Sequence, residues 1–189
     1  MNSAYSKVNC ANKMNKYEFR KYNDNFRLLY GKEHAVLKRI LPKYAKIEHV
    51  GSTAVPGLGG KGLIDIVIAV PIKKIKATTT ILEGKGYNFV TDAGSKERLF
   101  FFKDYRSKLR TRRVHLHITN TGSRTFTEMV SLRNYLIAHN DEARKYARLK
   151  QKAVRMCKGN GAIYKKLKNK YIKRVTTKAV KASKSSRLR

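Results

Sequence analysis

The chain has 189 residues, of which 44 are Lys or Arg and 12 are Asp or Glu, giving a formal net charge of +32. This length suits one domain with its own core, and a hydrophobic fraction of 41% excludes wholesale disorder. So large a single-sign excess repels itself in a compact chain and points to a polyanionic partner, nucleic acid first, against the blander alternative of a proteome basic throughout.

Residues 1–15 are polar and read as a frayed segment. From 17 to 41, apolar residues recur at spacings of three, four and seven, which predicts a helix with a break at Gly31 and a stop at Pro42. Residues 45–50 predict a short strand. Residues 51–62 hold five glycines and a proline and predict a loop. The β-branched run 63–70 predicts a central buried strand. A helix follows over 72–85, then strands over 98–103 and 112–119. Helices are predicted over 124–138, 141–157 and 162–180, with Asn140 as a cap. Residues 181–189 read as a basic disordered tail. This order suggests an α+β fold, a small mixed sheet flanked by helices.

Cys10 and Cys157 form neither a metal-ligand pair nor a disulfide framework, so both are expected to be reduced. No apolar run approaches the roughly 18 residues of a membrane span. Residues 1–7 lack the apolar centre of a secretory signal. The expectation is a soluble cytoplasmic protein with no membrane partner; nothing in the pattern bears on oligomeric state.

The strongest local signal is Glu48-His49-Val50-Gly51-Ser52-Thr53, with Asp65 thirteen residues after Ser52. A glycine at 51 lets a phosphate approach the backbone closely. Backbone N–H groups and the hydroxyls of Ser52 and Thr53 could donate to its oxygens. Lys61 could neutralise charge in the same loop. Asp65, a carboxylate within an apolar strand, is costly unless paired, metal-bound or exposed, and could hold a divalent cation. The competing reading is a Gly-rich turn whose hydroxyls bond to their own backbone.

Residues 48–68 resemble the signature of the GrpB-like family, a branch of the nucleotidyltransferase superfamily. The resemblance continues at Val114-His115-Leu116-His117-Ile118, at Leu132 to Leu136, at Tyr146 with Lys150 and at Tyr164 with Lys168. It covers about residues 17–175, and the domain is placed at 16–178, with 179–189 as the tail. Gly62 stands where the family usually has proline.

The resemblance implies a nucleotidyltransferase-like fold that binds a nucleoside triphosphate with Mg²⁺ or Mn²⁺ and moves a nucleotidyl group to an acceptor. Active members of the superfamily hold two metals with acids at i and i+2 of one strand, which share a face. Here the first acid is Asp65 and the second position is Val67. The strand 112–119 places Arg113, His115 and His117 on one face. His115 and His117 are open to three roles: metal ligands with Asp65, a general base, or phosphate contacts.

The expected catalytic residues are Asp65, His115 and His117, with Asp65 and His117 as metal ligands. The phosphate-binding set is Gly51, Ser52, Thr53, Lys61, Arg98 and Arg133, where Arg133 could pair with a phosphate or an acid. His49 could orient the loop. Tyr146 and Lys150 share a helix face and read as packing plus a solvated charge.

Lys165, Lys166, Lys170, Lys173 and Arg174 project from the last helix and could bind RNA or another polyanion. A catalytically weak, basic nucleic-acid-binding module is therefore the alternative to an enzyme. No acid follows Glu142, and residues 143–189 carry 18 of the 44 basic side chains.

Overall fold

The fold is taken from a computed structural model, which describes residues 19–106 and 111–185. The elements in chain order are α1 (Asn25–Ile40), β1 (Lys46–Val50), β2 (Ile64–Val70), α2 (Ile75–Gly84), β3 (Asn88–Phe89), β4 (Leu99–Arg106), β5 (Thr111–Asn120), α3 (Arg124–Ala138), α4 (Asn140–Cys157) and α5 (Gly161–Ser185). The strands form one sheet in the order β1-β2-β5-β4-β3. β2 and β5 run parallel, and the other neighbours are antiparallel. The architecture is α+β, as expected.

Alternation along the two central strands divides the sheet into an apolar face and a chemical face. Ile64, Ile66, Ile68 and Val70 of β2 join Val114, Leu116 and Ile118 of β5 in the main core. Leu37 and Leu41, of and just after α1, and Leu82 of α2 cover them. The register pairs Asp65 with His115 and Val67 with His117, so these four side chains share the opposite face. Helices α3, α4 and α5 lie on that side, α3 reaching β1, β2 and β5. Leu136, Ala143, Tyr146 and Val175 form a second cluster there. The sheet therefore sits between a mainly apolar layer, in which the hydroxyls of Tyr87 and Tyr105 meet the buried Glu33 of α1, and a layer that encloses the polar groups of the cavity.

Several boundaries differ from the sequence pattern. The first helix begins at Asn25 rather than 17, because Asn23 Oδ1 accepts from Asn25 N–H at 2.8 Å and makes the turn that starts it. Ahead of it, Arg20 forms a two-way backbone bridge with Gly60, at 2.6 and 2.9 Å. Gly31 does not break the helix; it lies on its exposed side, where a glycine costs only backbone entropy. Asn140 is the first residue of α4, and the cap position falls to His139. The two-residue strand β3 was too short to carry a periodic signal.

The last helix continues to Ser185, so residues 181–185 are helical where a disordered tail was expected. Ala179 is buried, and Ser183 Oγ meets Ser131 Oγ of α3 at 3.2 Å, so packing carries the helix onward. The expected frayed segment and the last four residues lie outside the described residues. No helix among the described residues is long and apolar enough to cross a membrane.

Ser123 begins α3. Its Oγ accepts from Phe126 N–H at 3.1 Å and lies 2.8 Å from Thr119 Oγ1 at the end of β5. One hydroxyl thus joins the sheet to the helix layer. Ser123→Ala should lower stability by about 1 kcal/mol, the worth of the cap, since Thr119 Oγ1 keeps its hydrogen bond to Glu97 C=O; this is read as a lower midpoint at unchanged slope in urea unfolding.

Candidate functional site

Gly51 ends β1 at φ 74°, a conformation that favours glycine. A Cβ built there would lie 2.4 Å from Asp65 Oδ2. The Asp65 carboxylate therefore rests directly against the loop backbone. Gly60 plays the matching part across the loop: a Cβ there would lie 2.4 Å from Ser52 Oγ and 3.3 Å from Lys150 Nζ. Two glycines thus leave the room in which Asp65, Ser52 and Lys150 gather.

Thr53 is 1% exposed, and its hydroxyl is committed. Oγ1 donates to Leu63 C=O at 2.9 Å, so it accepts from His49 Nε2–H at 3.1 Å. Thr53 locks the loop rather than offering its hydroxyl to a phosphate. His49 belongs to the other face of the sheet, stacked on Tyr30 with ring centroids 4.4 Å apart. Burial lowers it to about 4, which keeps the ring neutral and its tautomer fixed.

Asp65, His115 and His117 come together. His115 Nδ1 is 3.0 Å from Asp65 Oδ1, and His117 Nε2 is 3.7 Å from the same oxygen. Burial would push the Asp65 carboxyl up; the hydrogen bonds from the two histidines outweigh it and hold the group well below the usual carboxylate range. Asp65 is therefore an acceptor, and His115 Nδ1 carries the proton between them. That leaves Nε2 as the accepting position of a neutral His115.

Arg98 does not stand in the cavity. Its guanidinium donates to His117 Nδ1 at 2.7 Å and to Ala93 C=O at 3.0 Å. A guanidinium only donates, so Nδ1 of His117 is the lone-pair nitrogen and Nε2 keeps its proton, facing Asp65. Burial pushes His117 down, which favours this neutral form. Arg133 also found an acid: it donates to Glu48 at 2.6 Å and to His49 C=O at 2.8 Å, clamping the end of β1.

The expected metal centre does not fit these residues. Val67 fills the second-acid position and is fully buried. Glu48, its cross-strand neighbour, is held by Arg133. His117 Nε2 presents a proton rather than a lone pair toward Asp65. Among the described residues no group of three His, Cys, Asp or Glu side chains is placed to hold a metal ion.

A cavity of about 440 Å³ opens over Gly51, Ser52, Lys61, Asp65, His115 and His117. Its far wall comes from α4 and α5, which contribute Tyr146, Lys150, Tyr164 and Lys168. Each lysine lies over an aromatic ring: Lys61 Nζ is 4.8 Å and Lys168 Nζ 5.5 Å from the Tyr164 centroid, and Lys150 Nζ is 4.7 Å from that of Tyr146. Lys150 is 3% exposed and donates to Gly59 C=O. It is not the solvated charge that its position suggested. Burial, opposed by Asp65 and reinforced by Lys168, lowers Lys150 to about 7. Burial, with Lys168 next, lowers Lys61 to about 8. Lys168 is pushed down by the same desolvation.

The signal for Lys150 and Lys168 lay in a repeat. Tyr146 with Lys150 and Tyr164 with Lys168 are both Tyr-x-x-x-Lys, one turn apart on successive helices. Lys150 also interrupts the buried stripe Ala143, Tyr146, Ala153, Cys157 of α4, as Asp65 interrupts its strand.

A family model described as GrpB protein matches residues 16–178. The chain belongs to the GrpB family. It is 33% identical over 138 residues to UPF0157 protein PA4798 of Pseudomonas aeruginosa, an alignment covering 72% of this chain and 56% of that protein. It is 29% identical over 135 residues to the glutamate-rich protein GrpB of Alkalihalophilus pseudofirmus, covering 69% of this chain and 76% of that one. The crystal structure of conserved protein GrpB from Enterococcus faecalis superposes with a TM-score of 0.76 at 26% identity, covering 88% of this chain and 99% of that chain. The chain spans 56% and 39% of the lengths of PA4798 and of YqkA from Bacillus subtilis.

The lowered lysines fix the sign of a pH effect. Between about pH 7 and the ordinary lysine value, the unfolded chain binds protons that folded Lys150 does not, so stability rises with pH. Below about pH 7 the full cost of a buried ammonium is present. The urea midpoint of the protein should therefore rise from about pH 7 to about pH 9. Lys150→Met should start higher at pH 7 and rise less over that range.

Proposed function

We propose that the cavity binds a nucleoside triphosphate and that the protein transfers the nucleotidyl group to an acceptor. The observation that carries this reading is the convergence of Ser52, Lys61, Lys150 and Lys168 on the space that Asp65 and His115 also line. The Ser52 hydroxyl and the loop N–H groups suit phosphate oxygens. The lysines supply the charge that a β,γ-diphosphate requires. Met129, Leu132, Tyr146 and Ile172 give the nucleoside an apolar wall.

In the transfer, the acceptor oxygen bonds to the α-phosphorus while the bond to the α,β-bridging oxygen breaks. The pyrophosphate leaves against the lysines, whose fixed positions favour the charge that develops on it. The acceptor's proton passes to His115 Nε2, since Asp65 occupies Nδ1 and orients the ring. Arg98 holds His117 so that its Nε2–H supports Asp65. Thr53 and Arg133 serve by keeping the loop and the end of β1 in place.

Calorimetry with a non-hydrolysable nucleoside triphosphate tests the binding. Ser52→Ala and Lys150→Met should each weaken it roughly tenfold to a hundredfold, the worth of one hydrogen bond to a charged group. His115→Gln should bind normally yet abolish transfer of label from a radioactive nucleotide to copurifying acceptors. Absence of binding by the unaltered protein, with or without Mg²⁺, would end this reading.

A further inference from the structure

The outer face of α4 and α5 carries charge that the fold does not use. Arg148, Lys152 and Arg155 stand at i, i+4 and i+7 on α4, and Lys166, Lys170 and Lys173 repeat that spacing on α5. All six are exposed. Among the described residues none of the six pairs with an acid, and none could find one later in the sequence, since no acid follows Glu142. Like charges at i, i+4 destabilise a helix. Two helices thus sustain matched rows of like charge, eased at the start of α4, where Asp141 lies near enough to feel Arg148.

We infer that the α4–α5 outer face is a track for the phosphate backbone of a nucleic acid, and that the bound strand is the acceptor of the proposed transfer. Only the acceptor role rests on the function proposed above; the binding does not. The track reaches the cavity because α5 serves both. Tyr164, Lys168, Ile172 and Thr176 line the cavity along one stripe of the helix; the exposed row lies roughly 150° round the helix from it, and Lys165 stands between the two. Lys165, exposed, is near enough to Lys61 and Lys168 to oppose their charges, so the cationic surface continues to the cavity itself. At 25 residues, α5 is about 37 Å long, room for many phosphates.

A lipid surface would need outward apolar groups to insert. Here the apolar stripes of both helices are spent on the domain, with Ala153, Cys157, Tyr164, Val175 and Ala179 all buried. Along the two rows Met156 and Ile163, at the turn between the helices, are exposed apolar groups; the rest of what faces outward is charge, which suits a backbone read without its bases.

The test is fluorescence anisotropy of a labelled oligouridylate with the full chain across a salt series. Each contacted phosphate contributes about 0.7 to the slope of log affinity against log salt for a single strand, so six contacts give a slope of about −4. Replacing Lys166, Lys170 and Lys173 together by Glu should lower affinity at least tenfold and flatten the slope. Circular dichroism should confirm retained helix. Replacing Arg148, Lys152 and Arg155 by Gln is the milder second variant and should flatten the slope without reversing charge. A flat slope in the unaltered protein, or an unchanged slope in both variants, overturns the proposal. So does binding to phosphatidylserine vesicles that equals the RNA binding and falls with the same variants. Nucleotide binding measured without RNA distinguishes the two readings: its loss with RNA binding intact removes the transfer and the acceptor role, and leaves the track.

Discussion

Asp65 presses against the backbone at Gly51, with no room for a side chain between them. Much of the cavity's polar order follows from that contact. One carboxylate oxygen faces the loop backbone, and the other accepts from His115 of the neighbouring strand β5, with His117 beside it. Its negative charge in turn partly offsets the desolvation of Lys61, Lys150 and Lys168. A carboxylate taken from water is costly alone, and so is an ammonium; together in one cavity they are mutually tolerable. The loop locks through Thr53 and His49, and the clamp of Arg133 on Glu48, keep the glycine where the contact requires it.

The fold was readable where burial writes a period. The alternation of β2 and β5 showed which residues would face the helices, and Asp65, His115 and His117 do meet there. The loop 51–62 was evident from its glycines. What stayed hidden was of two kinds. The partners of Arg98 and Arg133 depend on side chains 19 and 85 residues away, and no local pattern announces whether an arginine will meet a phosphate, a histidine or a glutamate. The burial of Lys150 depends on the loop at Gly59 and Gly60 closing over α4, which the amphipathic stripe of α4 alone cannot reveal. The paired Tyr-x-x-x-Lys spacing was present in the chain, and only the packing of the two helices gives it meaning.

The net charge of +32 divides between two environments with opposite physics. In the cavity three lysines are drawn from water, and burial pushes each of them down. On the outer face of α4 and α5 the lysines and arginines stand exposed to water. The sheet supports the first group and is indifferent to the second. Composition alone therefore overstates what the charge says about chemistry and understates what it says about the helical hairpin.

Among the described residues the cavity is lined by lysine and by no arginine, although the chain is rich in both. An arginine there would stay ionised whatever its surroundings, since its guanidinium does not give up a proton in proteins. A lysine can release one. Lys150, lowered to about 7, sits near the point of exchange at neutral pH. An anion entering the cavity restores the protons that burial removes, so each binding event recruits hydrogen ions from solvent. The positive charge of the cavity thus grows when it is occupied, and the empty protein is spared part of its repulsion.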